Sequence, residues 1–124
     1  MSDPKLARFR DQKYMSLETF KKNGQGVKTP VWFVLHNDAL YAYTKADSWK
    51  VKRIRNNPRV RVAVSNVLGD VKGEWVDATA SIVDGDERRA ADELLDRKYL
   101  LKVIFNVLSR LNRHTRAMIR IEAS

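Results

Sequence analysis

Apolar and polar residues alternate with period two along much of this chain, and turn residues separate the alternating stretches. One such stretch runs from Val27 to His36. Val27, Thr29, Val31, Phe33 and Leu35 fall on one face; Lys28, Pro30, Trp32, Val34 and His36 fall on the other. Both faces are largely apolar after Thr29, which predicts one strand covered on both sides. Pro30 cannot donate to a ladder, so it marks a sheet edge or a break in pairing. The same alternation predicts strands over Leu40–Thr44, Arg59–Ser65, Glu74–Val83 and Arg116–Glu122. Met15–Lys22 fits helix or strand; the following Asn23-Gly24-Gln25-Gly26 favours a hairpin and hence a strand.

Helical spacing replaces alternation in three places. Asp3-Pro4 opens a short helix that buries Leu6 and Phe9. Ser48 caps a second helix running to about Asn56, which buries Val51 and Ile54; Pro58 disfavours helical geometry at Asn57 and ends it. Asp86 is placed to cap a third helix from Glu87, with Ala90, Ala91, Leu94 and Leu95 on its inner face, and a further helical segment reaches Leu111. The order predicts a mainly β single domain over residues 1–124: an antiparallel β-barrel with flanking helices, closed on itself so that its edges are not left open.

Composition changes this picture through charge. Lys and Arg number 24 against 15 Asp and Glu, giving +9 and a pI near 10.0. Such a balance favours an anionic partner, or serves as a solubilising surface. Between Lys45 and Arg61 the chain carries seven cations and a single acid, Asp47. The absence of cysteine excludes disulfides, thiol catalysis and Cys-ligated metals. The charged start, MSDPKLARFRDQ, has no apolar signal region, so a cytoplasmic location is expected. His36 and His114 lack metal-ligand spacing, and no acid–base pair, nucleophile motif or Gly-rich phosphate loop is present. No catalytic side chain is assigned; a bound cofactor would carry the chemistry of an enzyme of this kind. The capped start of the Ser48 helix presents unpaired backbone N–H groups beside Lys50, Lys52 and Arg53, a setting suited to phosphate.

Thr29-Pro30-Val31-Trp32-Phe33, then Leu40-Tyr41 with Thr44, then the stretch from Ser48 to Val60, resemble the pyridoxamine 5'-phosphate oxidase-like FMN-binding split-barrel family. The resemblance extends over roughly Ser16–Glu122 and is closest to the branch of deazaflavin-dependent enzymes that use coenzyme F420. It implies a split antiparallel barrel and a homodimer with two cofactor sites between subunits. It also implies hydride transfer between the deazaflavin and an organic acceptor. Under it, Thr29, Pro30, Val31 and Trp32 line the ring system. Thr44, Ser48 and Lys50 hold the phosphate, with Lys52 or Arg53 helping. Arg55, Arg59 and Arg61 are candidates for the cofactor's carboxylate tail, and Tyr41 or Tyr43 for a proton donor. Three other readings compete: FMN in the same site, a non-catalytic cofactor-binding protein, and a basic nucleic-acid-binding module in which Trp49 stacks on a base.

Overall fold

The computed structural model describes residues 4–99 and 116–124. Seven antiparallel strands form one curled sheet, flanked by three short or medium helices. In chain order these are α1 (Pro4–Ala7), β1 (Tyr14–Phe20), β2 (Gly26–Val31), β3 (Val34–His36), β4 (Ala39–Lys45), α2 (Trp49–Asn56), β5 (Arg59–Ser65), β6 (Val76–Val83), α3 (Gly85–Lys98) and β7 (Arg116–Ala123). The sheet order is β2-β1-β5-β6-β7-β4-β3. β2 and β3, adjacent in sequence, therefore end opposite edges of the sheet without pairing, and the barrel is split between them rather than closed. The expected helical segment reaching Leu111 lies outside the described residues, as does Asp3.

The alternation gives the core directly. Val60, Val62 and Val64 of β5, Val76, Ala78 and Ala80 of β6, and Ile119 and Ile121 of β7 meet Met15, Leu17, Phe33 and Ile54 in one buried cluster. On the opposite sheet face a smaller cluster joins Tyr41 and Met118 to Ala91 and Leu95 of α3. β1 is a strand, as the hairpin signal favours: Gly24, at φ 87°, makes the turn, and Lys21 N donates to Gln25 O at 2.9 Å.

Three expected boundaries move. The single strand over Val27–His36 is two strands, because the chain leaves its pairing with β1 after Val31 and resumes on β4 at Val34. The stretch Glu74–Val83 becomes strand at Val76: the end of β5 is taken up by Lys72 N donating to Val64 O at 2.8 Å and by a bridge between Ser65 and Val71. Asp84, not Asp86, caps α3, with its Oδ1 accepting from Gly85 N at 2.9 Å; Gly85 turns the chain at φ 65°, which brings the helix start forward.

Arg61, a candidate for an external anion, serves the fold. Glu18 lies opposite Lys28 on β2 and Arg61 on β5. Its side chain is 7% exposed, and Arg61 Nε donates to Glu18 Oε1 at 2.6 Å. A Cβ at Gly26 would fall 2.2 Å from Glu18 Oε2, so glycine there makes room for the carboxylate. Arg61→Ala leaves that carboxylate buried without its ion pair. Stability is expected to fall by about 1–3 kcal/mol. Urea unfolding measures it, and a change under ~0.5 kcal/mol would show that water replaces the arginine at little cost.

Candidate functional site

The break between β2 and β3 would leave the backbone of Phe33 without ladder partners in the core. Two residues at the end of α3 supply them. Phe33 N donates to the Tyr99 hydroxyl at 3.0 Å. Phe33 O accepts from Lys98 Nζ at 2.8 Å and lies 2.9 Å from the same hydroxyl, which also reaches Lys13 O at 2.7 Å. The Tyr99 ring stacks on Trp32, with centroids 4.8 Å apart and planes 12° apart. Burial pushes the Tyr99 phenol up to about 12, so it stays protonated and able to donate.

Held this way, Pro30, Val31 and Trp32 form one wall of an open cavity of about 340 Å³; Tyr43, Thr44 and Lys50 face them, with Tyr14 and Val67 completing the lining. Val67 and Leu68 project from the β5–β6 connection at 57% and 80% exposure. That connection is shaped by Asn66, whose Oδ1 accepts from Leu68 N and Asp70 N at 2.9 Å each. Beneath Thr44, Ser48 caps α2 as expected: its hydroxyl accepts from Val51 N at 3.4 Å and from Thr44 Oγ1 at 3.4 Å. Burial, and then the charge of Arg53, lower the pKa of Lys50 below its ordinary value. An amine so placed gains from an anion. Thr29 Oγ1 is buried and has no hydrogen-bond partner among the described residues. Thr29 lies in β2 next to Pro30 and does not itself line the cavity.

Of the residues singled out from the sequence, Pro30, Val31, Trp32, Thr44 and Lys50 line this cavity, Ser48 supports it, and Thr29 lies in β2 beside Pro30 without lining the cavity. Lys52 and Arg53 do not join them. They line a second groove with Trp49, because residues three and four apart share one side of α2 and Lys50 lies on another. Tyr41 is tied to α3, its hydroxyl donating to Glu87 Oε2 at 2.5 Å; burial and then Glu87 push its phenol up to about 12. Tyr43, with the Arg116 guanidinium 4.7 Å from its ring centroid, is the tyrosine of the pair at the cavity. Sequence reasoning missed Tyr99 and Lys98: their spacing from Phe33 of more than sixty residues carries no local signal. His36 bonds Asn37 at the β3–β4 turn, and the described residues contain no cluster of three metal-ligating side chains.

Residues 2–123 match the sequence pattern of the family described as pyridoxamine 5'-phosphate oxidase. The chain belongs to this family. No curated protein matches the sequence. Among solved structures, a conserved hypothetical protein of Mycobacterium tuberculosis is similar at 23% identity, with 99% of this chain and 81% of that one covered and a TM-score of 0.69. HutZ, the haem storage protein of Vibrio cholerae, is similar at 19% identity, with 100% and 92% covered and a TM-score of 0.73. A haem-binding protein of Mycobacterium smegmatis is similar at 13% identity, with 91% of this chain and 47% of that one covered and a TM-score of 0.66. These likenesses carry the split-barrel fold and no activity.

The support under Trp32 has a pH signature. Burial lowers the Lys98 amine to about 8. The unfolded chain restores an ordinary lysine near 10.5. Between roughly pH 8 and pH 10.5 the unfolded state then binds more protons, so this residue's contribution to stability rises with pH. Lys98→Met removes that contribution. The unfolding free energy of the native chain minus that of the variant is expected to increase from about pH 7.5 to about pH 10. A flat difference would mean the amine stays charged and hydrated.

Proposed function

We propose that this member of the pyridoxamine 5'-phosphate oxidase family is an oxidoreductase that uses coenzyme F420 to exchange a hydride with an organic molecule. The observation that carries the reading is the pairing, across one cavity, of an apolar wall at Pro30–Trp32 with the Thr44–Ser48–Lys50 cluster at a helix start. The wall suits a flat ring system and the cluster suits its phosphate. The deazaflavin ring, when bound, supplies the hydride chemistry. Lys50 contributes charge, Thr44 and Ser48 contribute hydroxyls, and Trp32, braced by Tyr99, keeps the wall in place. Tyr43 is the candidate for moving a proton, since it lines the cavity and Tyr41 does not.

FMN is the alternative cofactor, since it offers the same ring and phosphate geometry. A second reading is haem storage or carriage, supported by the names of two structural relatives. The proposed cytoplasmic setting accords with all three; no described helix is long and apolar enough to cross a membrane.

Titration of the full chain with F420, FMN and haem, followed by fluorescence and absorbance, separates these readings. F420 is expected to bind most tightly. Lys50→Ala is expected to weaken it by about 10- to 100-fold without unfolding the protein, the worth of a charge-assisted phosphate contact. Tighter FMN binding would remove the deazaflavin and leave the site; haem binding unaffected by Lys50→Ala, with no flavin-type binding, would remove both.

We also propose a homodimer. The cavity's volume of about 340 Å³ is at the small end for a ligand site, and it lies open beside the exposed apolar pair Val67 and Leu68. A second copy would cover that pair and complete the wall. Sedimentation is expected to show a dimer at micromolar protein, shifted toward monomer by Leu68→Glu. A monomer throughout that range would dismiss the two-subunit site.

A further inference from the structure

The second groove lies on the other side of α2 and does not depend on the cofactor reading. It is an open space of about 570 Å³ between α2 and the β1–β2 hairpin. Phe20 and Val27 form an apolar floor. Lys21 and Lys22 border it from the hairpin, Lys52 and Arg53 from the helix, and among the described residues no acidic side chain lines it. Trp49 stands at its rim, 69% exposed, with Lys52 Nζ 4.5 Å from its ring centroid. Arg53 is fixed in advance: its Nε donates to Oγ1 of the buried Thr19 at 2.9 Å. Ordering costs little when the guanidinium is already held.

We propose that this groove is a second ligand site, and that it takes a free mononucleotide. Four cations lining one groove, with no acid among its described lining residues, call for an anion. An exposed indole and an apolar floor beside them call for a planar aromatic group on the same molecule. A base attached to a phosphate meets both demands. The base lies against Trp49 and the floor, and the phosphate sits among the lysines and Arg53, where charge-assisted hydrogen bonds are strongest. A groove bounded by one hairpin and a two-turn helix has the volume of a small-molecule site. A second copy of the chain is a poor occupant, because a symmetric contact would set these cations against themselves.

Calorimetric titration of the full chain with adenosine monophosphate tests the assignment. Trp49→Leu, a change at an exposed position, is expected to weaken binding by about 5- to 100-fold, the effect of losing one base–aromatic stack. Lys52→Glu is expected to weaken it further, and added salt to weaken it in the native chain. Adenosine and inorganic phosphate are each expected to bind less tightly than the nucleotide that joins them. Lys50→Ala is expected to leave nucleotide binding unchanged. This separates the groove from the cofactor cavity: the cofactor reading fails through Lys50, the groove through Trp49. Absence of binding at millimolar nucleotide overturns the proposal. So does binding that Lys50→Ala removes and Trp49→Leu preserves. Tighter binding of a thymidine oligonucleotide than of the mononucleotide would overturn it in favour of a single-strand surface.

Discussion

The backbone N–H and C=O of Phe33 are the groups on which the arrangement of this protein depends. Phe33 is fully buried, between the end of β2 and the start of β3. Without partners, each polar group there would cost about 1–3 kcal/mol. The Tyr99 hydroxyl and the Lys98 amine supply those partners, so the chain can leave one strand and join another inside the core. The break sends β2 and β3 to opposite edges of the sheet. It also turns Trp32 onto the Tyr99 ring and places Pro30–Trp32 at a cavity rather than in a continuous ladder. The split of the barrel and the wall of the candidate site therefore have one cause.

The excess positive charge is not a uniform coat. Arg61 neutralises the buried Glu18; Arg120 pairs with Glu87 and with Glu122; Arg88 donates to Arg116 O at 2.6 Å. These cations hold strands and α3 together. α2 distributes the others by its own geometry. Val51 and Ile54 bury its inner side, Lys50 faces the Thr44 side, and Trp49, Lys52 and Arg53 face the hairpin. A basic run that reads as one cluster in sequence thus serves two separate spaces. A phosphate at one and an anion at the other would be held by different residues, although their positions in the chain interleave.

Much of the fold was legible because its causes are local. Alternation over Arg59–Ser65 and Arg116–Glu122 specifies strands by placing every second side chain in the core, and Asn23-Gly24 supplies the left-handed turn a hairpin needs. Ser48 and Pro58 bracket α2 because capping and the constraint before proline act within a few residues. The Thr29–Trp32 and Ser48–Arg53 stretches carried the family resemblance, which the match over residues 2–123 bears out.

The tertiary structure decided what depends on distant partners. Pro30 marks an edge or a break, but the apolar alternation continues past it and nothing local places the break after Val31; Tyr99, 66 residues from Phe33, makes the break tenable there. Arg61 reads as free until β1 brings Glu18 beside it, 43 residues away in sequence. Lys50 and Lys52 read as one phosphate-binding group until the helix turns them to different sides. Sequence by itself determined the strand or helix character of most described segments and which face of each is apolar. Which polar groups remain available to a ligand was determined by the packing, because a side chain's availability depends on what folding has placed against it.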